Sequence, residues 1–248
     1  MDNPLHPFEL HPLVQLSLFG VDISLNKAVL MMWLVITLVA VVFILAGSSP
    51  RMVPTKLQNL AEMFVEFIRG MILDTIGQQG MRFFPFLATL FLFILFCNLL
   101  GLIPGSYTVT SQIAVTAAFA LFVYGMSLVV GFALHGVKFL GILVPGGTPM
   151  WMLPLMIPIE VVSQLARPLS LAVRLFANMT AGHTVLAVLF GMALSLPLLI
   201  GWLPFVVTVA INGLEVFIAF IQAYIFTILT CVYLGDAITL HGHAEHAH

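Results

Sequence analysis

Charge is what this sequence lacks: among 248 residues there are 8 lysines and arginines and 10 acidic residues, 7% charged in all. Soluble domains typically carry about 25%, so an ordinary soluble domain is excluded. No basic run is present, and a formal charge of -2 leaves no electrostatic footprint for nucleic acid. Cysteine is scarce too. Cys97 and Cys231 both lie in apolar segments and read as small buried hydrophobes, and two thiols cannot build a disulfide framework. No internal repeat points to an inverted-repeat carrier. A cleavable leader is not visible either, because the first apolar stretch begins at Ala28 behind Asp2, Glu9 and Asp22.

What the chain has instead is apolar surface. Hydrophobic residues make up 61% of it and its mean hydropathy is +1.15, which indicates a multi-pass helical membrane protein. The expected fold is an all-α membrane protein, a single domain over 1–248 with five transmembrane passes, an interfacial amphipathic helix and a long, steeply tilted terminal hairpin. Residues 1–26, with Pro4, Pro7 and Pro12, read as an irregular tail, and spans are predicted over 28–47, 84–104 and 113–134. Over 51–77, Thr55, Asn59, Glu62, Glu66 and Arg69 recur opposite Leu60, Phe64, Phe67 and Ile68. That pattern predicts an amphipathic helix on the membrane surface. Residues 135–153, broken by Gly136, Pro145 and Pro149, are too interrupted to cross and read as a loop.

Two long helices, 154–196 and 204–235, complete the chain. Counted from Pro158 the first is about 57 Å long and the second is about 48 Å, against a hydrocarbon core of roughly 30 Å. Helices of such length must tilt or bend. A steeply inclined hairpin turning at 197–204 is the simplest solution. Arg51, Lys56, Arg69, Arg82 and Lys138 fall on one side of the predicted spans and only Lys27 on the other, so the N-terminus is expected outside and the C-terminus inside. The His-rich tail, 236–248, could hold a metal weakly; a solvated tail is the simpler reading, and no metal site is predicted.

The polar residues of the hairpin carry the functional signal. Glu160, Gln164, Arg167, Arg174 and Asn178 follow one another at steps of four, three, seven and four, which keeps them on one helix face. Ser170, Ala177 and Ala181 flank that stripe and would let another helix come close. Asn212, Glu215, Ala219 and Gln222 form a similar face on the second helix. Counted outward from Ile200, Asn178 and Gln222 are both 22 residues away and should lie level, as should His183 and Glu215 within about one helical turn. An imidazole beside a carboxylate can pass protons, while Asn178 and Gln222 read either as pathway or as an interhelical hydrogen bond.

Arg174 has no acid at its own depth. A guanidinium stays protonated, and placing it in hydrocarbon costs about 2.5–3.5 kcal/mol. Its countercharge is therefore expected from another chain. Arg167 could be held by Asp236, and both Arg167 and Glu160 could also snorkel to the inner interface. His183, nine residues beyond Arg174, falls about 180° away on an ideal helix. Either it faces the second helix while Arg174 faces the partner, or Gly182 relaxes the geometry.

The run Arg174-Leu175-Phe176-Ala177-Asn178-Met179-Thr180-Ala181-Gly182-His183 closely resembles the signature of the subunit a family of F-type ATP synthases. Gln222-Ala223-Tyr224-Ile225-Phe226, with Leu229-Thr230 and Tyr233-Leu234, resembles that family's last helix. The resemblance covers most of the chain and is highly specific in the hairpin. It implies a proton-translocating stator subunit beside a ring of c subunits, with subunit b and other ATP synthase subunits as further partners, the lipid bilayer as surroundings and no cofactor. It implies that Arg174 is the essential arginine and that a carboxylate of the ring is its missing partner. His183, Glu215, Asn178 and Gln222 would line an outer half-channel, Glu160 and Ser170 an inner one. By the same resemblance the chain performs no catalysis alone and resides in an energy-transducing membrane, a bacterial inner membrane ahead of a mitochondrial one. The competing reading is a secondary proton-coupled transporter, which would move a solute without a ring. An intramembrane enzyme would need a nucleophile with its base or a metal cluster at depth, and neither pattern is present.

Overall fold

In the computed structural model, residues 12–14, 17–18, 21–22, 25–48, 54–103, 109–143 and 150–238 are described. Six helices carry the architecture: α1 (Lys27–Gly47), α2 (Lys56–Thr75), α3 (Phe84–Gly101), α4 (Ile113–His135), α5 (Leu153–Ser195) and α6 (Leu198–Ile238). Five stretches are long and apolar enough to cross a membrane: α1, Gln78–Gly101, Ile113–Phe139, α5 and Gly201–Ile238. The expected irregular tail instead holds two short antiparallel pairs, β1 (Pro12–Val14) with β4 (Leu25–Asn26) and β2 (Ser17–Leu18) with β3 (Val21–Asp22). Nested pairing lets extended backbone satisfy its own N–H and C=O groups. The His-rich tail beyond Ile238 lies outside the described residues.

α2 begins where Thr55 Oγ1 accepts the Gln58 N–H at 3.3 Å, an N-cap directly after Pro54. It ends before Gly77, whose φ of +82° requires a residue without a side chain. Its amphipathic pattern is used in part: of the predicted apolar face Ile68 is buried and Phe64 half-buried, while Leu60 and Phe67 are exposed. Ile68, Met71 and Ile72 are buried in the core, while Glu62, Glu66 and Arg69 are exposed. A 3-10 turn, Gln78–Phe83, then leads into α3, with Pro85 in its first turn, where its missing N–H costs nothing.

The core gathers around α3 and α6. Phe91 and Phe226 are fully buried there, with Ile72 of α2, Val123 of α4, and Leu171 and Leu175 of α5. Lipid tails are as apolar as leucine, so close packing holds these helices together more than exclusion of water does. α1 stands at the edge and packs against α3 through Val35 and Cys97, with Val109 from the α3–α4 connection. The segment after α4 folds back as a 3-10 turn, Gly136–Leu143, and lays the Phe139 ring directly on Gly131.

α5 has 43 residues and α6 has 41, so each is about 60 Å long, roughly twice the hydrocarbon thickness. Their reversal is tighter than the 197–204 turn expected from composition. Only Leu196 and Pro197 separate them, and helix resumes at Leu198 with Pro204 inside it. The Gly201 N–H bonds to the Pro197 carbonyl at 2.8 Å, so helical bonding is under way before the second proline is reached. Gly201 is what permits so close a reversal. A Cβ there would stand 2.8 Å from the Ala193 carbonyl oxygen.

Candidate functional site

Glu160, Arg167, Ser170, Arg174, Asn178 and His183 stand on α5, and Glu215 and Gln222 on α6. The packing of α5 decides which of them face inward. Pro168, Leu171, Ala172, Leu175 and Met179 are buried against the bundle. Ser163, Ala166, Ser170, Arg174, Ala177 and Ala181 are exposed and follow one another at three- and four-residue steps, so they share an open face of small residues around one cation. Only 11% of the most apolar window of α5 is buried, against 50% in Gln78–Gly101. Most of α5 therefore waits for lipid or another polypeptide.

Among the described residues, no carboxylate lies within 4 Å of the Arg174 guanidinium, while an ion pair joins Arg167 Nη1 to Asp236 Oδ2 at 3.4 Å. That pair closes the far end of the hairpin, as depth counting anticipated. Arg167 also lies over the Tyr233 ring, 5.7 Å from its centroid. Nearby on α5, Gln164 Nε2 donates to Glu160 Oε1 at 2.9 Å, one helical turn apart.

The seam between α5 and α6 is polar. Asn178 Nδ2 donates to Gln222 Oε1 at 3.1 Å, joining the two residues that counting placed level. Glu215 is 8% exposed and its carboxylate rests on Gly182. The level placement of His183 and Glu215 does not extend to a hydrogen bond: neither Glu215 oxygen has a hydrogen-bond partner among the described residues. Gly182 supplies the reason. Its bare Cα leaves the nearest space for the acid, one position around the helix from the half-buried His183. Gln222 Nε2 and Thr180 Oγ1 are also buried without partners among the described residues. Each such atom costs about 1–3 kcal/mol unless water or a proton carrier meets it, so the seam is built to take up polar guests.

One polar group escaped the spacing argument. Asn98 of α3 is fully buried, and its Oδ1 accepts from Thr110 Oγ1 at 2.9 Å, in the Val109–Ser111 turn that packs against α5. Its Nδ2 has no partner among the described residues. The signal was available, since Asn98 is the lone amide in a span that is apolar but for the Thr89 hydroxyl. No group of three or more metal-ligating side chains exists among the described residues.

The Gly182 contact yields a direct prediction. In Gly182→Ala the new Cβ meets Glu215 Oε1, with the carboxyl carbon at 2.9 Å, so the acid must swing away. Alanine favours helix by about 1 kcal/mol over glycine, so assembly is expected to be unimpaired. The displaced carboxyl of Glu215 is expected to react several-fold faster with a carbodiimide and an amine, read by mass spectrometry of the purified protein. Unchanged reactivity would mean that Gly182 does not set the position of Glu215.

The fold and this seam define a class: an all-α, multi-pass membrane protein whose polar chemistry is concentrated between two over-long helices. Comparison narrows the class, for the family model described as ATP synthase A chain matches residues 29–235. The chain belongs to that family, and so has its place in the ATP synthase complex, in ATP synthesis and in proton transport. It is 49% identical to the ATP synthase subunit a of Magnetococcus marinus over 246 residues, covering 96% of this chain and 94% of the relative. The Rhodospirillum rubrum subunit a is 46% identical over 241 residues, covering 97% and 100%. That of Pelagibacter ubique is 43% identical over 240 residues, covering 96% and 98%.

Proposed function

We propose that this chain conducts protons to and from a ring of c subunits, with Arg174 dividing two aqueous half-channels. The observation that carries the reading is the exposed Arg174, set among small residues with no carboxylate of the described chain beside it. A ring carboxylate facing lipid must be neutral, because a bare charge there is expensive. Opposite a fixed guanidinium the ionised form is favoured, so a proton leaves on one side of Arg174 and another is taken up on the other. The same cation stops protons from crossing directly between half-channels. Each proton moved through the potential supplies about 2.3 kcal/mol per 100 mV, which rotation carries away.

Glu215, His183, Asn178 and Gln222 serve the outer half-channel, and the partnerless polar atoms of Glu215 and Gln222 support a watered path there. Glu160, Ser170 and Arg167 serve the inner one. In this reading the N-terminus is outside and the C-terminus inside, and the other three spans and the surface helix α2 flank an inclined hairpin. Subunit b and other ATP synthase subunits cover further faces. The chain performs no phosphoryl chemistry, and the bacterial kinship of its relatives favours a bacterial inner membrane.

Cysteines placed singly at Ser170, Ala177 and Ala181 of the assembled complex test this. They are expected to crosslink to a c subunit, whereas a cysteine at the buried Ala172 is not. Capture of no c subunit from the three exposed positions would overturn the reading.

A further inference from the structure

A cavity of about 230 Å³ lies between α4, α5, α6 and the Gly136–Leu143 turn, at the Arg167–Asp236 end of the hairpin. Leu128, Phe132, Phe139, Val161 and Leu165 give it apolar walls. Tyr124, Gln164, Arg167, Tyr233 and Asp236 add the polar groups. Its position is fixed by a contact between helices: His135 Nε2, at the end of α4, is 3.3 Å from the Ile238 carbonyl oxygen of α6. Asp236 therefore lies near one end of the helical bundle, beside the His135 end of α4.

The charges there are only partly used. Arg167 and Asp236 meet through one contact of 3.4 Å, longer than the usual N–H···O range of about 2.7–3.2 Å. A guanidinium has five donors and a carboxylate about four acceptor sites, so both retain capacity. Their side chains are 33% and 45% exposed, and thus reachable. A ligand fitting this place needs an anion for Arg167, a hydrogen-bonding cation for Asp236 and an alkyl chain for the apolar walls.

We propose that this cavity binds one zwitterionic aminophospholipid, with its phosphate on Arg167, its ammonium on Asp236 and part of an acyl chain between α4 and α5. Inorganic phosphate would leave the apolar walls uncovered. An anionic lipid without an amine would set its charge beside an unmatched Asp236. A choline headgroup offers no N–H to the carboxylate.

The test uses the purified complex, stripped of lipid in mild detergent and re-equilibrated with aminophospholipid, choline phospholipid or anionic glycerol phospholipid of equal chain length. Native mass spectrometry counts the lipids retained. One more aminophospholipid than choline lipid is expected per copy of this chain, and inorganic phosphate should not displace it. Leu128→Trp, which fills the cavity, is expected to weaken retention at least about tenfold. Should that complex fail to assemble, Val161→Phe provides the same obstruction from α5. Asp236→Asn is expected to abolish the preference for the amine while still retaining lipid. Equal retention of amine and choline lipids by the unaltered complex, or an unchanged count in the filled variants, would overturn the proposal. Displacement by inorganic phosphate alone would do so as well, by assigning the site to a free anion.

Discussion

Arg174→Ala is expected to reduce proton-driven ATP synthesis to background while leaving the complex assembled. The structure separates these two outcomes. Arg174 is exposed and, among the described residues, holds no carboxylate that its removal would strand. Alanine is the best helix former, and the buried face of α5, from Pro168 to Met179, is untouched. A structural role for the guanidinium would therefore show as lost assembly. A role opposite a passing acid would show as lost coupling at normal abundance. Arg174→Lys sharpens the test, because an ammonium in hydrocarbon gives up its proton readily and lacks the planar fork. It is expected to remain strongly impaired. Measuring ATP synthesis and ATP-driven proton pumping in inverted vesicles, alongside the amount of assembled complex, decides the matter. Activity within about tenfold of normal in Arg174→Ala, equivalent to about 1.4 kcal/mol of barrier, would remove the cation from the mechanism.

The second large effect is expected at Glu215. Glu215→Gln keeps the shape of the side chain on Gly182 and removes its ability to carry a proton. Conduction is expected to fall on the order of 10²-fold, the low end of what a lost acid–base group costs. Stability should hold or rise, since a buried amide is cheaper to desolvate than a carboxylate without hydrogen bonds. Passive proton flux through the membrane sector in vesicles, with the catalytic head removed, isolates this step from ATP chemistry. A normal flux would show that protons bypass the α5–α6 seam. His183→Ala is the useful companion. Because the imidazole and the acid are not hydrogen bonded, its effect should be smaller than that of Glu215→Gln.

Depth counting worked where both helices are regular. It placed Asn178 beside Gln222 and Arg167 beside Asp236, because two helices joined at one end keep a common rise. It also placed Glu215 level with His183 within a turn, and the acid rests on the neighbouring Gly182; depth alone does not fix which side chains bond. Composition misplaced the reversal. Pro204 reads as a breaker, yet it sits within a helix already begun at Leu198, and freed backbone groups in membrane helices find other partners. Asn98 was legible only as an oddity of its span, since its bond to Thr110 depends on how α3 and the following turn meet. The short strand pairs ahead of α1 left no periodic pattern long enough to read.

The reversal at Leu196 and Pro197, with Gly201 pressed to the Ala193 carbonyl, also sets how the hairpin answers a sideways load. Backbone meets backbone there, with no side chain between to compress, so that end is stiff. At the opposite end the two helices meet through side chains, Arg167 with Asp236 and with the Tyr233 ring. A neighbour sweeping past would thus meet a clip that is rigid at its crease and yielding at its open jaws.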